Sequence, residues 1–285
     1  MAQTVKIISD STCDLSKDLL EKYDIAILPL HILLGETEYR DGVDITPEEI
    51  FRWSDENKTT PKTSAPSMTE AMEVMKPFLD EGREIICFSI SDSMSTSGNV
   101  MRLAAEELEA SDKVTVINSA NLSTGIGLQV IQAALLSAEG KTRAQITAAI
   151  EEIRPRVRAS FTVDTLTYLY RGGRCNAVAA LAGTMLKLHP RIVVEDGAMD
   201  ASKKYRGKLG SVILSYTKDM EDDLKNAVPD RVFITHSGCD REIVESVRSY
   251  LESLGIFNEI LETRAGGVIS SHCGPGTLGV LFIEK

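Results

Sequence analysis

The chain has 285 residues, of which 43% are hydrophobic and 26% charged: long enough for two domains, with the balance of an ordinary globular protein. That composition excludes a wholly disordered, fibrous or membrane-embedded protein, and no apolar run approaches the roughly 18 residues of a membrane span. Forty-two acidic against 31 basic residues give a net charge of −11, which repels phosphate backbones and disfavours nucleic-acid binding.

VKIIS (5–9) is short, apolar and β-branched and predicts a buried strand. A helix follows near 16–23 with Ser16 as its cap. The next apolar run, IAILPLHILL (25–34), contains Pro29, which marks an edge or a break. GETEYRDG then predicts a hairpin. Thr46-Pro47-Glu48-Glu49 is a helix start: Thr46 caps, Pro47 suits the first helical position and Glu49 closes a capping box. Ser67 to Glu70 repeats the logic for a helix over 68–80. IICFSI (85–90) and VTVIN (114–118) predict buried strands, and helices fill 98–110, 125–138 and 143–154. This β-α alternation predicts an N-terminal α/β domain over 1–155, with a mostly parallel sheet flanked by helices.

The remainder, 156–285, predicts an α+β domain with a mixed sheet. ASFTV (159–163) reads as a strand, and DTLTYLYRGGR as a short helix stopped by Gly172 and Gly173. RIVVEDGAMDASKKYRG (191–207) predicts two strands joined at Asp196-Gly197. One helix over 208–226, a strand at 231–236, a helix at 241–254, a strand at 257–263 and a terminal strand complete the chain.

The N-terminus has no signal-type pattern. The five cysteines, Cys13, Cys87, Cys175, Cys239 and Cys273, are widely spaced without CxxC. Neither a disulfide framework nor a thiolate zinc site is indicated, and a reduced cytoplasmic protein is expected.

Hydroxyl side chains crowd four segments read as loops after the first-half strands: SDST (9–12), KTSAPS (62–67), SDSMSTS (91–97) and NSANLST (118–124). Beyond the carboxyl ends of parallel strands, such loops and the nearby helix N-termini suit a phosphate or a carboxylate. Taken singly, each hydroxyl also reads as a cap or turn residue. GxxxxGK[ST] and GxSxG are absent, and Gly125-Ile126-Gly127 is an incomplete dinucleotide fingerprint. No histidine has metal-ligand spacing. His31 and His189 read as structural, and His236 as a residue at a loop mouth. His272, among glycines 274, 276 and 279, reads equally as a ligand contact or a buried structural residue. Arg171 and Arg174 either bind an anion or complement a helix C-terminus. Lys203, Lys204, Arg206 and Lys208 form either a solvated face or a partner contact.

The chain resembles the DegV family of bacterial fatty-acid-binding proteins. IISDSTCDL (7–15), TSAPS (63–67), SMSTSGNVMRLAAEEL (93–108), FTVDTLTYLYRGGR (161–174), KYRGK (204–208) and SHCGPGTLGVLF (271–282) carry the resemblance. It implies two α/β domains with one long-chain fatty acid between them. The tail is buried and the carboxylate lies at polar loops. It also implies a role as the binding subunit of a bacterial fatty-acid kinase in phospholipid synthesis. ATP and magnesium then belong to a separate kinase subunit, and this chain carries no catalytic residue, metal or cofactor besides the bound lipid.

By the resemblance, Thr63 and Ser95 match the carboxylate-binding hydroxyls and His272 lies near the head group. Ser64, Thr96 and Ser97 are its neighbours, and Arg206 matches a position implicated in the kinase partnership. Thr96 stands where the family often has glycine, with Gly98 two residues later. Apolar stock for a tail exists in IAILPLHILL, VAALAGTMLKL (178–188) and SVILSY (211–216). The alternative is a hydrolase or acyltransferase using Ser95 or Ser271 with His272. A lipid sensor or scaffold without a kinase partner is a third reading.

Overall fold

The computed structural model describes residues 5–174 and 188–285. Its first sheet is wholly parallel, in the order β2-β1-β6-β7: β1 (Val5–Asp10), β2 (Ile25–Leu28), β6 (Glu84–Ser89) and β7 (Val114–Asn118). Near-continuous apolar strands need cover on both faces. Helices α3 (Met68–Asp80) and α4 (Ser97–Glu107) cover one face, meeting Ile8, Ile85 and Cys87. Helices α5 (Thr124–Ala138) and α6 (Arg143–Ile153) cover the other, meeting Ile7, Ile86 and Phe88. The expected caps form: Ser16 accepts from the Leu19 N–H at the start of α1 (Lys17–Lys22). Thr46 and Ser67 each complete a capping box, at α2 (Pro47–Asn57) and α3.

The second sheet is mixed, in the order β10-β9-β8-β13-β11-β12. Its strands are β8 (Val157–Thr162), β9 (Leu188–Glu195), β10 (Ala198–Arg206), β11 (Ala227–Ser237), β12 (Glu259–Arg264) and β13 (Thr277–Glu284), and only β11 and β12 pair in parallel. Helix α5 packs against both sheets, which explains its composition: Thr124 to Ile131 are buried without a polar stripe. Gly127 lets it approach, because a Cβ there would lie 2.7 Å from Leu15 Cδ2 and 3.1 Å from the Cys13 carbonyl. The Gly125-Ile126-Gly127 segment is thus a packing surface.

Two expectations are corrected. The single helix over 208–226 is two, α8 (Leu209–Lys218) and α9 (Glu221–Lys225). The break falls at Asp219, whose carboxylate is tied to β10 by Lys203 Nζ at 2.6 Å and the Tyr205 hydroxyl at 2.7 Å. KTSAPS is not a loop after a parallel strand: residues 62–64 form β5 (Lys62–Ser64). It pairs with β3 (His31–Leu34) in a third, antiparallel sheet, β4-β3-β5, with β4 (Thr37–Arg40) at the far edge. The glycine-flanked segment around His272 contains a helix, Gly267–Cys273. It follows α10 (Arg241–Leu254) in the chain and is called α11; α7 (Thr167–Gly172) packs beside it. Cys175 and residues 178–187 lie outside the described residues.

Candidate functional site

The site is organised by carboxylates set behind it. Asp10, at the end of β1, is completely buried. It accepts from the Thr12 hydroxyl at 2.5 Å, the Ile90 N–H at 2.9 Å and the Ser97 hydroxyl at 2.9 Å. These bonds lower its pKa, but burial outweighs them and raises it. One side chain thereby joins the loop after β1, the loop after β6 and the first turn of α4. Ser97 serves this purpose, and its hydroxyl does not line the cavity described below.

Two further acids hold α11. Asp14 accepts from the Gly266 N–H at 2.8 Å and the Ser123 hydroxyl at 2.5 Å. Asp41 accepts from the Gly267 N–H at 2.7 Å and the Ser11 hydroxyl at 2.8 Å. The first N–H groups of any helix lack intrahelical partners, and here distant carboxylates supply them. Burial raises both acids, Asp14 well above its ordinary value and Asp41 to about 6. The sequence signal for this arrangement is only the spacing of three aspartates, two of them in IISDSTCDL.

Between the parallel sheet, the small sheet and α11 lies a cavity of about 450 Å³. Thr63, Ser64, Ser95, Thr96 and His272 line it together, as do Asp92, Ser93 and Arg174. Its remaining wall is mostly apolar: Leu30, Ile90, Met94, Leu122, Met199, Val268 and Ile269. A narrow space of about 20 Å³ shares Leu122, Ile269 and Cys273 with it and otherwise meets core residues such as Phe161 and Leu281. Among the described residues of the apolar stretches singled out in sequence, Leu30 lines the cavity. Val212, Ile213 and Tyr216 of SVILSY instead enter the core on the outer side of the mixed sheet.

His272 Nε2 and Thr63 Oγ1 are hydrogen-bonded at 2.8 Å. Burial, and secondarily the positive charge of Arg174, push the His272 pKa down to about 4, so the ring is neutral at pH 7. Ser95 Oγ accepts from the Ser97 N–H at 3.2 Å in the turn leading into α4. Thr96 lies at φ −90° and ψ 9°, a conformation open to side-chain-bearing residues, so the backbone does not require glycine there.

Sequence reading missed the hairpin of β9 and β10 as part of the site. The Ser91 hydroxyl donates to the Gly197 carbonyl at 2.6 Å, and the Ser93 hydroxyl donates to the same oxygen. The hairpin tip is thereby fastened to the loop after β6, bringing Met199 to the cavity wall. Arg206 lies at the other end of β10, exposed and away from the cavity lining.

The Ser271–His272 pair does not form. The Ser271 hydroxyl donates to the Gly267 carbonyl at 2.7 Å, one turn back on α11, while His272 Nε2 engages Thr63. Elsewhere, His189 Nδ1 bonds the Val163 carbonyl at 2.9 Å, and His31 bridges Glu38 and Glu70. His236 lines a separate open pocket with Cys239, Arg241 and Arg264.

The description "Uncharacterised protein, DegV family" matches residues 4–285. This chain belongs to the DegV family. A DegV domain-containing protein of Clostridium perfringens is 32% identical over 281 residues, covering 99% of each chain. Among solved structures, a DegV family protein from Thermus thermophilus, described by its fatty-acid binding, superposes with a TM-score of 0.91. It is 31% identical and covers 99% of this chain and 100% of its own. A stearic acid-binding protein from Eubacterium ventriosum superposes with a TM-score of 0.85 at 32% identity, covering 99% and 98%. The Thermus thermophilus structure shares the two α/β domains found here, one built on the parallel sheet and one on the mixed sheet. No described helix is long and apolar enough to cross a membrane, and no metal-ligand cluster occurs among the described residues.

Proposed function

We propose that this DegV protein binds one long-chain fatty acid, with its tail along the apolar wall and its carboxylate at Thr63 and Ser95. The observation that carries the reading is one cavity whose lining combines hydroxyls and a neutral histidine with aliphatic side chains. Each buried methylene contributes roughly 0.8 kcal/mol, so about 16 carbons supply of the order of 10 kcal/mol before the costs of association. A desolvated carboxylate needs hydrogen-bond donors, and hydroxyls satisfy it without a clamping ion pair. Ser64, Thr96 and His272 complete the head-group surroundings. Ser97 acts one step behind, through Asp10. The fatty-acid binding described for the Thermus thermophilus and Eubacterium ventriosum relatives supports the same ligand.

In this reading the protein is a soluble cytoplasmic carrier that uses no cofactor and performs no chemistry itself. It presents the carboxylate to a separate kinase subunit that forms an acyl phosphate for phospholipid synthesis. Arg206, exposed at the end of β10, contacts that partner. The two halves, 1–155 and 156–285, act as the walls between which the lipid lies.

The test is the Thr63→Ala/Ser95→Ala double variant. Hydrogen bonds to a charged group contribute about 1.5–3 kcal/mol each, so stearate affinity is expected to fall by at least tenfold with the circular dichroism spectrum unchanged. Unchanged affinity would sink the head-group assignment. For the partner role, Arg206→Glu is expected to abolish co-purification with the kinase subunit while leaving lipid retention intact. Retained co-purification contradicts the Arg206 assignment.

A further inference from the structure

We propose that Gly172 is a positioning residue that locks one tautomer of His272. The lock fixes Thr63 as a hydrogen-bond donor, and the cavity is thereby selective for a carboxylate over an alcohol of the same chain length. The selectivity rests on the fatty-acid reading above; the tautomer does not.

The two ring nitrogens of His272 have different surroundings. Nε2 lies 2.8 Å from Thr63 Oγ1. Nδ1 is buried and has no hydrogen-bond partner among the described residues. The cause is the backbone of α7: a Cβ on Gly172 would stand 2.4 Å from Nδ1. Glycine therefore leaves room for this nitrogen, which any side chain at position 172 would meet, and Nδ1 stays shut off from solvent. A neutral imidazole carries one proton, on one nitrogen or the other. A proton on Nδ1 would bury an unpaired N–H, whereas a proton on Nε2 leaves only an unpaired lone pair against Cα. Orphaned buried N–H groups are the rarer and costlier of the two.

The proton accordingly sits on Nε2, and Nε2–H donates to Thr63 Oγ1. Thr63 has one hydroxyl hydrogen, which can no longer be given to His272. It is directed to the cavity. With the other tautomer, Thr63 would donate to Nε2 and present only lone pairs to the ligand, which repels a carboxylate. An ionised carboxylate only accepts, and its bond from a hydroxyl is charge-assisted; an alcohol adapts to either polarity. The tautomer therefore controls the ratio of acid to alcohol affinity, and the ¹⁵N signature of the ring separates that role from a purely steric one.

The direct readout is the ¹⁵N spectrum of the His272 ring in the lipid-free wild-type chain at pH 7. The expected result is a protonated Nε2 and an unprotonated Nδ1; the reverse assignment overturns the proposal without any variant. Gly172→Ala is expected to displace the ring signals and to reduce the ratio of stearate to octadecan-1-ol affinity at least tenfold. Gly173→Ala is the control. Gly173 is at φ +65°, and a Cβ there would have no atom of the described residues within 4 Å. That variant therefore carries backbone strain without touching the ring, and its His272 signals should match wild type. An unchanged ratio in folded Gly172→Ala also overturns the proposal. If wild-type protein shows the expected tautomer but takes up no stearate, the fatty-acid reading fails and the tautomer assignment stands.

Discussion

Asp41 accepts the Gly267 N–H at 2.7 Å, and this bond ties the helix that carries His272 to the turn beyond the small sheet that carries Thr63. Asp14 does the same for Gly266 from the loop after β1. Helix α11 has only seven residues and no local side-chain cap, so its own hydrogen bonds hold it weakly. Its position, and with it the Thr63–His272 bond, depends on carboxylates more than 220 residues away in the chain.

That dependence has a sign with pH. The folded-state pKa of Asp41 is raised from 3.8 to about 6, so the folded protein binds this proton more tightly than the unfolded chain. Stability from this group is present below the unfolded value and is lost as pH rises through about 6. At about 1.4 kcal/mol per pH unit, the stability of wild type relative to Asp41→Asn should fall by about 3 kcal/mol between pH 3.5 and pH 7. Urea unfolding of both proteins across that range measures it, and a pH-independent difference would refute the assignment.

His272 has the opposite sign. Its pKa is lowered from 6.5 to about 4, so the unfolded chain binds the proton more tightly. Its contribution is present above the unfolded value and is lost as pH falls from 6.5 toward 4. Wild type relative to His272→Gln should therefore gain stability from pH 4 to pH 7. Urea midpoints for the pair over the same range check this, and a gap that narrows with rising pH counts against a buried neutral imidazole.

These elements also mark where sequence reading stopped. The capping boxes at Thr46 and Ser67, the break at Pro29 and the turn at Asp196-Gly197 were legible because each is written in neighbouring residues. Helix α11 was not, because its N–H groups are met by Asp14 and Asp41 and no local pattern carries such a cap. Strand β5 has three residues and takes its register from β3 alone. The break between α8 and α9 has neither glycine nor proline and depends on the contacts of Asp219. For the site, family resemblance singled out Thr63, Ser64, Ser95, Thr96 and His272, and the fold gathers them at one cavity. The place of Ser97 behind Asp10 and the docking of Gly197 on Ser91 and Ser93 are tertiary relationships, and no motif spacing encodes them.

Glycine is required at 98 and not at 96. A Cβ on Gly98 would lie 2.6 Å from Ser89 Oγ and 2.8 Å from Asp92 Oδ1, where α4 meets the end of β6. Gly98→Ala should cost about 1–3 kcal/mol of stability, as overpacked sites do, and weaken fatty-acid binding by shifting the Ser95 turn. Thr96→Gly should cost no more than about 1 kcal/mol of stability, through chain entropy, and weaken stearate binding less than Gly98→Ala does, because the Ser95 turn keeps its backbone. Thermal unfolding with stearate titration checks both variants, and the reverse ranking contradicts this reading of the loop.

The hairpin tip should open when its two serines are removed. Ser91→Ala/Ser93→Ala leaves the Gly197 carbonyl without these donors, at a cost of about 1–3 kcal/mol. Faster hydrogen exchange in the β9–β10 turn and faster stearate dissociation are expected, because Met199 follows the tip into the cavity wall. Exchange and dissociation rates equal to wild type would show that the docking does not hold the cavity closed.

Native mass spectrometry of the purified chain, repeated after organic extraction and after addition of stearate, tests fatty-acid binding most directly. The expected result is one fatty acid per chain, removed by extraction and restored by stearate. A chain that carries no lipid and takes up no stearate under native conditions would contradict it.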